Sequence, residues 1–248
     1  MQHADIIITG AAEVLTCVPT PGDPIGRITD GSVAIAGERI VAVGPAAEVA
    51  ARVEAAGARV IDAAGKIVAP GFVDSHTHLV FGGSRVREYA LRVGRAPFDA
   101  RALGVPSGIL ATVEMTRAEP VESLTAGAMA RLAGMLRHGT TTVESKSGYG
   151  LSLADELKML EVNRRLQSHQ PVVVVSTFLG AHEFPRDVPR ARYVDMVVEE
   201  MIPRVAAQRL AEFCDVYCDD GYCSVAESRR ILEAGRSAGL RLKIHTDA

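Results

Sequence analysis

The sequence predicts an α/β fold in which βα units of a (β/α)8 TIM barrel follow a small β-rich domain. Residues 1–66 contain short strand-like segments separated by turn residues. Residues 67–248 instead alternate strand-like runs with amphipathic helical stretches, which is typical of parallel βαβ units. Histidines recur at the ends of these later runs, where βα barrels carry their functional residues. We therefore assign residues 1–66 and 67–248 to separate domains.

The composition excludes several classes of protein. Net charge is −3, with acidic and basic residues interspersed, so neither a nucleic acid nor an anionic membrane surface is an expected partner. No apolar run approaches the roughly 18 residues of a spanning helix, and the N-terminus lacks the basic region and cleavage site of a signal peptide. A cytoplasmic protein is expected. The cysteines lack the paired spacing of a zinc ribbon, which favours reduced thiols at Cys17, Cys214, Cys218 and Cys223.

The N-terminal domain is predicted from short β-branched runs. Its expected elements are a strand at 6–8, a hairpin of strands at 32–35 and 39–44, a helix at 46–57 and a strand at 60–62. The hairpin is indicated by the turn at Gly37 between two apolar runs. Catalytic residue types do not cluster in this part of the sequence.

Five βα units are predicted in the second domain. Their strands are expected at 67–74, 140–144, 172–178, 213–218 and 240–244. A helix over 121–137 stops at Gly139, a second begins at the N-cap Ser152, and a third begins at a capping box formed by Ser224 and Glu227. The polar segment 84–108 is expected to be a long loop over a site. A closed barrel has eight units, so we expect an incomplete barrel that aggregates or is inactive when expressed alone.

The pair His76 and His78 follows the first of these strands. Residues two apart on a strand point to the same face, so both imidazoles are expected to project together. The chain has 7 histidines, and chance alone gives roughly 0.2 such pairs, so the spacing needs context. That context is a buried apolar strand before the pair and further histidines at later strand ends. The pair therefore predicts half of a transition-metal site.

The later strand ends carry further candidate residues. In chain order these are Lys146 and Tyr149, then His182, then Asp219 and Asp220, then His245 and Asp247. A lysine at a strand end can be carboxylated to bridge two metals. We instead expect Lys146 to be structural and to pair with Glu144.

Five motifs resemble the imidazolonepropionase family of the amidohydrolase superfamily. They are PGFVDSHTHLVFGGSR (70–85), HGTTTVESKSGYGLSLADELKML (138–160), STFLGAHEFP (176–185), CDVYCDDGYCS (214–224) and LKIHTD (242–247). Together they span most of the chain beyond residue 66. The resemblance implies an N-terminal β-sandwich that is followed along the chain by an amidohydrolase-type barrel. It also implies a homodimer.

The resemblance implies hydrolysis of the cyclic amide of 4-imidazolone-5-propanoate, a small-molecule substrate, to N-formimino-L-glutamate in histidine degradation. One zinc or ferrous ion would be bound by His76, His78 and His245, and would activate a water near neutral pH. Arg85 matches the position that binds the propionate. Tyr149 and His182 match substrate-contacting positions, and His182 would share the negative charge developing on the ring oxygen. The expected catalytic residues are His182 and His245.

The sequence departs from the family pattern at three points. The family's fourth metal ligand is an Asp after the eighth strand, and this sequence has no such strand. Ala248 stands where the family usually has a Glu, and the approach over 97–108 is longer and less glycine-rich. Two alternatives therefore stay open. One is a related amidohydrolase or aminohydrolase acting on another cyclic amide, a formimino compound or a purine, and the other is a catalytically incompetent fragment.

Overall fold

The computed structural model describes residues 1–94, 97–100 and 102–246. It divides the chain into two compact units, residues 1–71 and 72–248. The first unit contains β1 (Gln2–His3), β2 (Ile6–Leu15), β3 (Arg27–Ala36), β4 (Arg39–Pro45), α1 (Ala46–Arg52), β5 (Val53–Glu54), β6 (Arg59–Asp62) and β7 (Ile67–Val68). Its main sheet has the order β4-β3-β2-β6, with β7 also paired to β2.

The hairpin predicted around Gly37 is confirmed in the first unit. Strands β3 and β4 pair antiparallel, and Gly37 takes a positive φ of 57° in the turn between them. Strand β2 is longer than the expected 6–8 and runs antiparallel to β3. Helix α1 ends at Arg52, earlier than expected, because the following residues form β5 and pair with β1. The core of this unit is small and aliphatic, made of Ala4, Ala11, Val14, Val33, Ala34, Ala42, Val49, Val53 and Ala63.

The prediction of one continuous buried strand over 67–74 is wrong. Residues Ile67–Val68 form β7 and pair with β2 in the first unit, whereas the next strand starts only at Phe72. Pro70 and Gly71 lie between them, and Pro70 has no N–H to continue a ladder. Burial was also mispredicted, since Phe72 is 65% exposed. This strand is the last in its sheet, so it lacks a neighbour on one side.

The second unit alternates strands and helices. Its elements are β8 (Phe72–Thr77), α2 (Val86–Val93), α3 (Gly108–Ala118), α4 (Val121–Arg137), β9 (Thr140–Lys146), α5 (Leu153–Gln167), β10 (Val173–Ala181), α6 (Arg190–Met196), a π-helical turn (Val197–Met201), α7 (Ile202–Ala207), β11 (Phe213–Val216), α8 (Val225–Ser237) and β12 (Arg241–Leu242). The five strands form one parallel sheet in the order β8-β9-β10-β11-β12. The α/β class with a parallel sheet is therefore confirmed.

The helix boundaries predicted from capping residues are confirmed. Helix α4 covers the expected 121–137, and Gly139 follows it with a positive φ of 91°. The Ser152 side chain accepts the Asp155 N–H at the start of α5. Ser224 and Glu227 form the predicted capping box at the start of α8. Such caps satisfy N–H groups that have no partner inside the helix.

The segment 84–108, expected to be a loop, contains helix α2. This helix buries Glu88 and exposes Val86 and Tyr89, which is the reverse of an ordinary amphipathic pattern. The buried Glu88 carboxylate accepts hydrogen bonds from Arg92 (2.7 Å) and from the Ser107 hydroxyl (2.8 Å). The apolar residues of this helix recur at helical spacing, at positions 86, 89, 90 and 93, so the sequence carried a signal for the helix that the prediction of a loop missed.

The core of the second unit packs the helices against the parallel sheet. Two clusters of buried side chains form it, one around Leu160, Phe178, Val197 and Met201, and the other around Leu124, Leu132, Val143 and Met159. All four cysteines, which lie within the described ranges, are free thiols, as the sequence predicted. Among the described residues, each helix is too short or too polar to cross a membrane.

Candidate metal centre

Three histidines meet at the carboxyl ends of the parallel strands. His76 lies on β8, His78 follows it directly, and His245 lies beyond β12. His245 is held against the end of β11 by its own N–H, which donates to the Val216 carbonyl at 2.8 Å. The nitrogen atoms that these imidazoles offer all lie within 4.8 Å of one another. In the described part of the chain, this is the one group of histidine, cysteine or carboxylate side chains close enough to hold a metal ion.

Two ring nitrogens of this group lack a hydrogen-bond partner. His78 Nδ1 and His245 Nε2 are buried, and neither has a partner among the described residues. An unpaired buried nitrogen costs roughly 1–3 kcal/mol. Burial, aided by the neighbouring imidazoles, lowers the pKa of His78 to about 2, and burial also lowers that of His76. Neutral imidazoles with free lone pairs are suitable ligands for a divalent metal ion, so the three residues fit such an ion.

The other nitrogen of His245 contacts a carboxylate that the sequence analysis missed. His245 Nδ1 lies 2.9 Å from Asp215 Oδ2. Burial would raise the pKa of Asp215, but hydrogen bonds from His245 and Lys146 outweigh it and hold that pKa below its usual range. The signal was available, because Asp215 is a lone charge inside the apolar run that forms β11.

The predicted pairing of Lys146 with Glu144 is confirmed. Lys146 Nζ lies 2.7 Å from Glu144 Oε1 and 2.7 Å from Asp215 Oδ2. A side chain shared between two carboxylates is favoured as the ammonium cation, and a carboxylated lysine would add a third negative charge there. The structure therefore supports the structural role and not the metal-bridging alternative.

His182 and Tyr149 lie beside the three histidines. The His182 ring stacks on His78 with a centroid distance of 4.5 Å, and the Tyr149 ring lies 5.0 Å from His78. His182 Nδ1 lies 3.2 Å from the Gly148 carbonyl, which can only accept, so Nδ1 carries the proton. Burial lowers the pKa of His182 to about 4, so its ring is neutral and Nε2 has a free lone pair.

Arg85 lines a cavity next to this group. The cavity has a volume of ≈ 250 Å³, and its walls are His78, Phe81, Gly82, Ser84, Arg85, Thr112, Met115 and Tyr149. The Arg85 side chain is 36% exposed and lies 3.3 Å from the buried Glu88 carboxylate. One wall of the cavity is thus cationic, while another is the candidate metal ligand His78.

Among the remaining strand-end candidates that the structure describes, Asp219 and Asp220 are not part of the group. Asp219 and Asp220 follow β11 in a turn, where the Asp220 N–H donates to Asp219 Oδ1 at 2.8 Å. Asp247 and Ala248 lie outside the described residues, as do residues 95, 96 and 101 of the predicted substrate loop. The expectations that concern them stay predictions.

Comparisons with known proteins point to one family. The signature of the Amidohydrolase family matches residues 59–105. An imidazolonepropionase from Symbiobacterium thermophilum is 49% identical over 100% of this chain and 60% of the relative. Another from Alkaliphilus metalliredigens is 45% identical over 98% of this chain and 60% of the relative. Along its whole length, the chain is similar to imidazolonepropionases. It spans about 60% of the length of these curated relatives.

A solved structure supports the same fold. An atrazine chlorohydrolase from Arthrobacter aurescens complexed with zinc superposes with a TM-score of 0.59 and 18% identity, over 98% of this chain and 53% of that one. At this identity the likeness shows an amidohydrolase fold and nothing finer. The resemblance to imidazolonepropionases inferred from the five motifs is confirmed.

A second residue that the sequence analysis missed, Glu156, holds the loop beside His78. Glu156 Oε1 accepts the N–H groups of Gly150 and Leu151, both at 2.8 Å, and Oε2 accepts that of Gly148 at 2.9 Å. Full burial raises its pKa despite these bonds. The sequence placed Glu156 only as an acidic residue in the first turn of α5. Its contacts fix the loop that carries Tyr149.

Gly148→Ala is expected to destabilise the chain by about 2 kcal/mol. Gly148 has a φ of +108°, and an added Cβ would lie 2.9 Å from both His182 Cβ and the Leu179 carbonyl oxygen. Urea unfolding checks this value. Gly221→Ala is the matched control, since Gly221 has a φ of +87° with nothing within 4 Å. Equal losses in the two variants would show that backbone strain alone, and not the contact with His182, determines the cost.

Proposed function

We propose that the chain provides the metal-binding and substrate-binding residues for hydrolysis of the cyclic amide of 4-imidazolone-5-propanoate, giving N-formimino-L-glutamate. The observation that carries this proposal is the meeting of His76, His78 and His245 beside a cavity walled by Arg85. The imidazolonepropionase names of its relatives support the same reaction. Water adds a hydroxyl to the ring carbonyl carbon and a proton to the departing ring nitrogen, which breaks the C–N bond.

The architecture that suits this function is a (β/α)8 barrel preceded along the chain by a small β-sandwich. The five parallel strands are adjacent in the same order in which they occur along the chain, as in such a barrel. The three histidines lie at the carboxyl ends of the strands, which is where barrel enzymes place their sites. The domain assignment of residues 1–66 and 67–248 is part of the same proposal.

One divalent ion, zinc or iron, is the proposed cofactor, held by His76, His78 and His245. Neutral imidazoles suit either metal. When bound, the ion supplies a Lewis acid for amide hydrolysis. The residues of the chain supply the ligand atoms for the ion and hold them in place. His78 and His245 each present a buried nitrogen without another partner, and Asp215 keeps the second nitrogen of His245 occupied.

His182 is the proposed proton carrier. Its Nδ1–H is used by the Gly148 carbonyl, so Nε2 can accept a proton but cannot donate one from the neutral ring. This suits a base that takes a proton from the attacking water and passes it to the ring nitrogen as the C–N bond breaks. The expected sharing of negative charge on the ring oxygen also belongs to the protonated ring, which His182 becomes when it accepts the proton of the water.

Arg85→Met is expected to raise KM for the imidazolone substrate by an amount equivalent to roughly 2–4 kcal/mol, with a smaller change in kcat. The reason is that Arg85 is the cationic residue of the cavity and its guanidinium can pair with the propionate. Steady-state kinetics check this. Arg92→Met is the control, because Arg92 also contacts Glu88 but does not line the cavity. An unchanged KM for Arg85→Met removes the propionate assignment.

The function itself is tested by supplying the purified chain with Zn²⁺ or Fe²⁺ and comparing substrates. Because the chain is expected to aggregate or be inactive when expressed alone, the same comparison is made in a polypeptide that carries it at the length of its relatives. Consumption of 4-imidazolone-5-propanoate, with N-formimino-L-glutamate as product, should exceed that of guanine and of formiminoglutamate. The reverse ranking supports the related-aminohydrolase alternative. Metal binding without turnover of any substrate supports the catalytically incompetent alternative.

A further inference from the structure

The Asp215 carboxylate is buried, and both of its oxygens accept hydrogen bonds. Its side chain is 1% exposed. Oδ2 lies 2.7 Å from Lys146 Nζ and 2.9 Å from His245 Nδ1, and Oδ1 accepts the Val216 N–H at 2.8 Å. A buried carboxylate with hydrogen-bonded cationic and neutral donors stays ionised. Asp215 therefore presents a fixed negative charge to one edge of the His245 ring.

This contact determines which nitrogen of His245 carries the proton. An ionised carboxylate can only accept, so the neutral ring must carry its proton on Nδ1. Nε2 then has the lone pair, and Nε2 is the buried atom without a partner. In the opposite tautomer two lone pairs would face each other across 2.9 Å, and Nε2–H would point at the metal position. That tautomer cannot bind a cation.

A second contact anchors the segment that carries His245. Strand β12 is only two residues long, so its ladder alone fixes this segment weakly. Lys243, two residues before His245, reaches Glu144 Oε1 at 2.6 Å. Glu144 Oε1 also accepts from Lys146 at 2.7 Å and from the Thr177 hydroxyl at 2.6 Å. The two lysines balance the two carboxylates, so the network as a whole is neutral and links β9, β10 and β11 to the His245 segment.

We infer that Asp215 is a positioning residue: it sets the tautomer of His245, while the ion pairs of Glu144 with Lys146 and Lys243 anchor that residue at the proposed metal centre. The inference rests on the proposed function for its purpose, but the tautomer itself does not depend on metal or turnover. Partners of metal-binding histidines commonly act in this way, by orienting the ring and raising its basicity.

Asp215→Asn tests the inference, because the amide keeps the shape and loses the charge. If the amide group faces His245, it donates to Nδ1 and imposes the wrong tautomer, but it then also faces the Lys146 ammonium, which lies 2.7 Å from the same position. The double variant with Lys146→Met removes this clash and gives the decisive spectrum. If the oxygen faces His245, the amide meets the Val216 N–H instead. We expect Zn²⁺ affinity, measured by competition with a chelator, to fall about 10- to 100-fold. In the metal-free chain, long-range ¹H–¹⁵N spectra should show a loss of the Nδ1–H form of His245, assigned by comparison with His245→Gln.

Thr177→Val is the matched control. Thr177 is as deeply buried as Asp215 and donates to Glu144, but it does not contact His245. This variant should lower stability and leave both the Zn²⁺ affinity and the tautomer unchanged. The double variant Asp215→Asn/Lys146→Met removes one charge of each sign, so it provides a folded test if Asp215→Asn leaves Lys146 unbalanced and unfolds. The double variant should show the same tautomer change.

The possible results separate this inference from the proposed function. An unchanged tautomer in the double variant, where Lys146 no longer holds the amide oxygen towards His245, overturns the inference, whatever the affinity. An equal loss of affinity in Thr177→Val, with the tautomer unchanged throughout, shows that the network has only a structural role and also overturns it. A parent chain that binds no Zn²⁺ but has the Nδ1–H tautomer, lost in Asp215→Asn, contradicts the proposed metal centre and leaves the inference standing.

Discussion

His78→Ala is expected to abolish metal binding and, with it, the proposed hydrolysis. His78 offers a buried nitrogen without another partner, and its pKa of about 2 keeps the ring neutral across the working range. Two histidines are too few to hold a divalent ion tightly, since catalytic zinc sites commonly use three protein ligands. The substitution also removes the ring that stacks on His182 at 4.5 Å. Elemental analysis after gel filtration should find less than one metal ion per ten chains.

His138→Ala and His169→Ala are the controls for this result. His138 and His169 are exposed, and each contacts a backbone carbonyl of the helix that precedes it. His138 contacts Gly134 of α4, and His169 contacts Arg165 of α5. Both variants should keep the metal content of the parent chain. Retention of one metal ion per chain in His78→Ala would remove His78 from the ligand set and leave the proposed site with only two of its three members.

The site could be predicted from the sequence where its residues follow regular elements. Parallel strands place their carboxyl ends at one edge, so His76, His182 and His245 were expected to meet although they are far apart in the chain. Caps and glycines defined α4, α5 and α8, because each of these signals acts within a few residues. These signals depend only on neighbouring residues, and the structure confirms the helix boundaries that they predict.

Contacts that depend on tertiary pairing could not be predicted in the same way. The run 67–74 is uniformly apolar, and nothing local shows that Ile67 pairs with β2 while Phe72 pairs with β9. Glu156 fits an ordinary acidic residue of a first helical turn, and its role appears only when the loop at Gly148 folds over it. Helix α2 was missed although its apolar residues recur at helical spacing, because the polar character of the whole segment 84–108 favours a loop.

The buried charges are where local sequence signals and structure differ most. Residues Ser145 and Lys146 extend β9 beyond its predicted end at Glu144, since Lys146 finds a carboxylate on either side. A polar strand end is therefore compatible with deep burial when the charges are paired. The ion pair of Lys146 with Asp215 links β9 to β11, and Asp215 in turn contacts His245. The stability of the chain and the geometry of the site therefore depend on the same side chains.

Lys146→Met is accordingly expected to destabilise the chain by roughly 3–5 kcal/mol. Lys146 is 2% exposed, and its removal leaves Asp215 without a cationic partner and Glu144 with only Lys243. The methionine fills a similar volume, so the loss measures the unpaired charge and not a cavity. Urea unfolding, followed by circular dichroism, gives the change in the free energy of unfolding.

Arg241→Met is the matched control, because burial is the property that differs. Arg241 Nη2 lies 2.6 Å from Glu212 Oε2, a distance as short as those of Lys146, but both side chains of this pair are more than half exposed. Water can replace the lost partner there, so the expected loss is below about 1 kcal/mol. Equal losses in the two variants would mean that solvent reaches the Lys146 network as freely as the surface. The ion pairs of Lys146 with Glu144 and Asp215 would then be too weak to hold His245 in position.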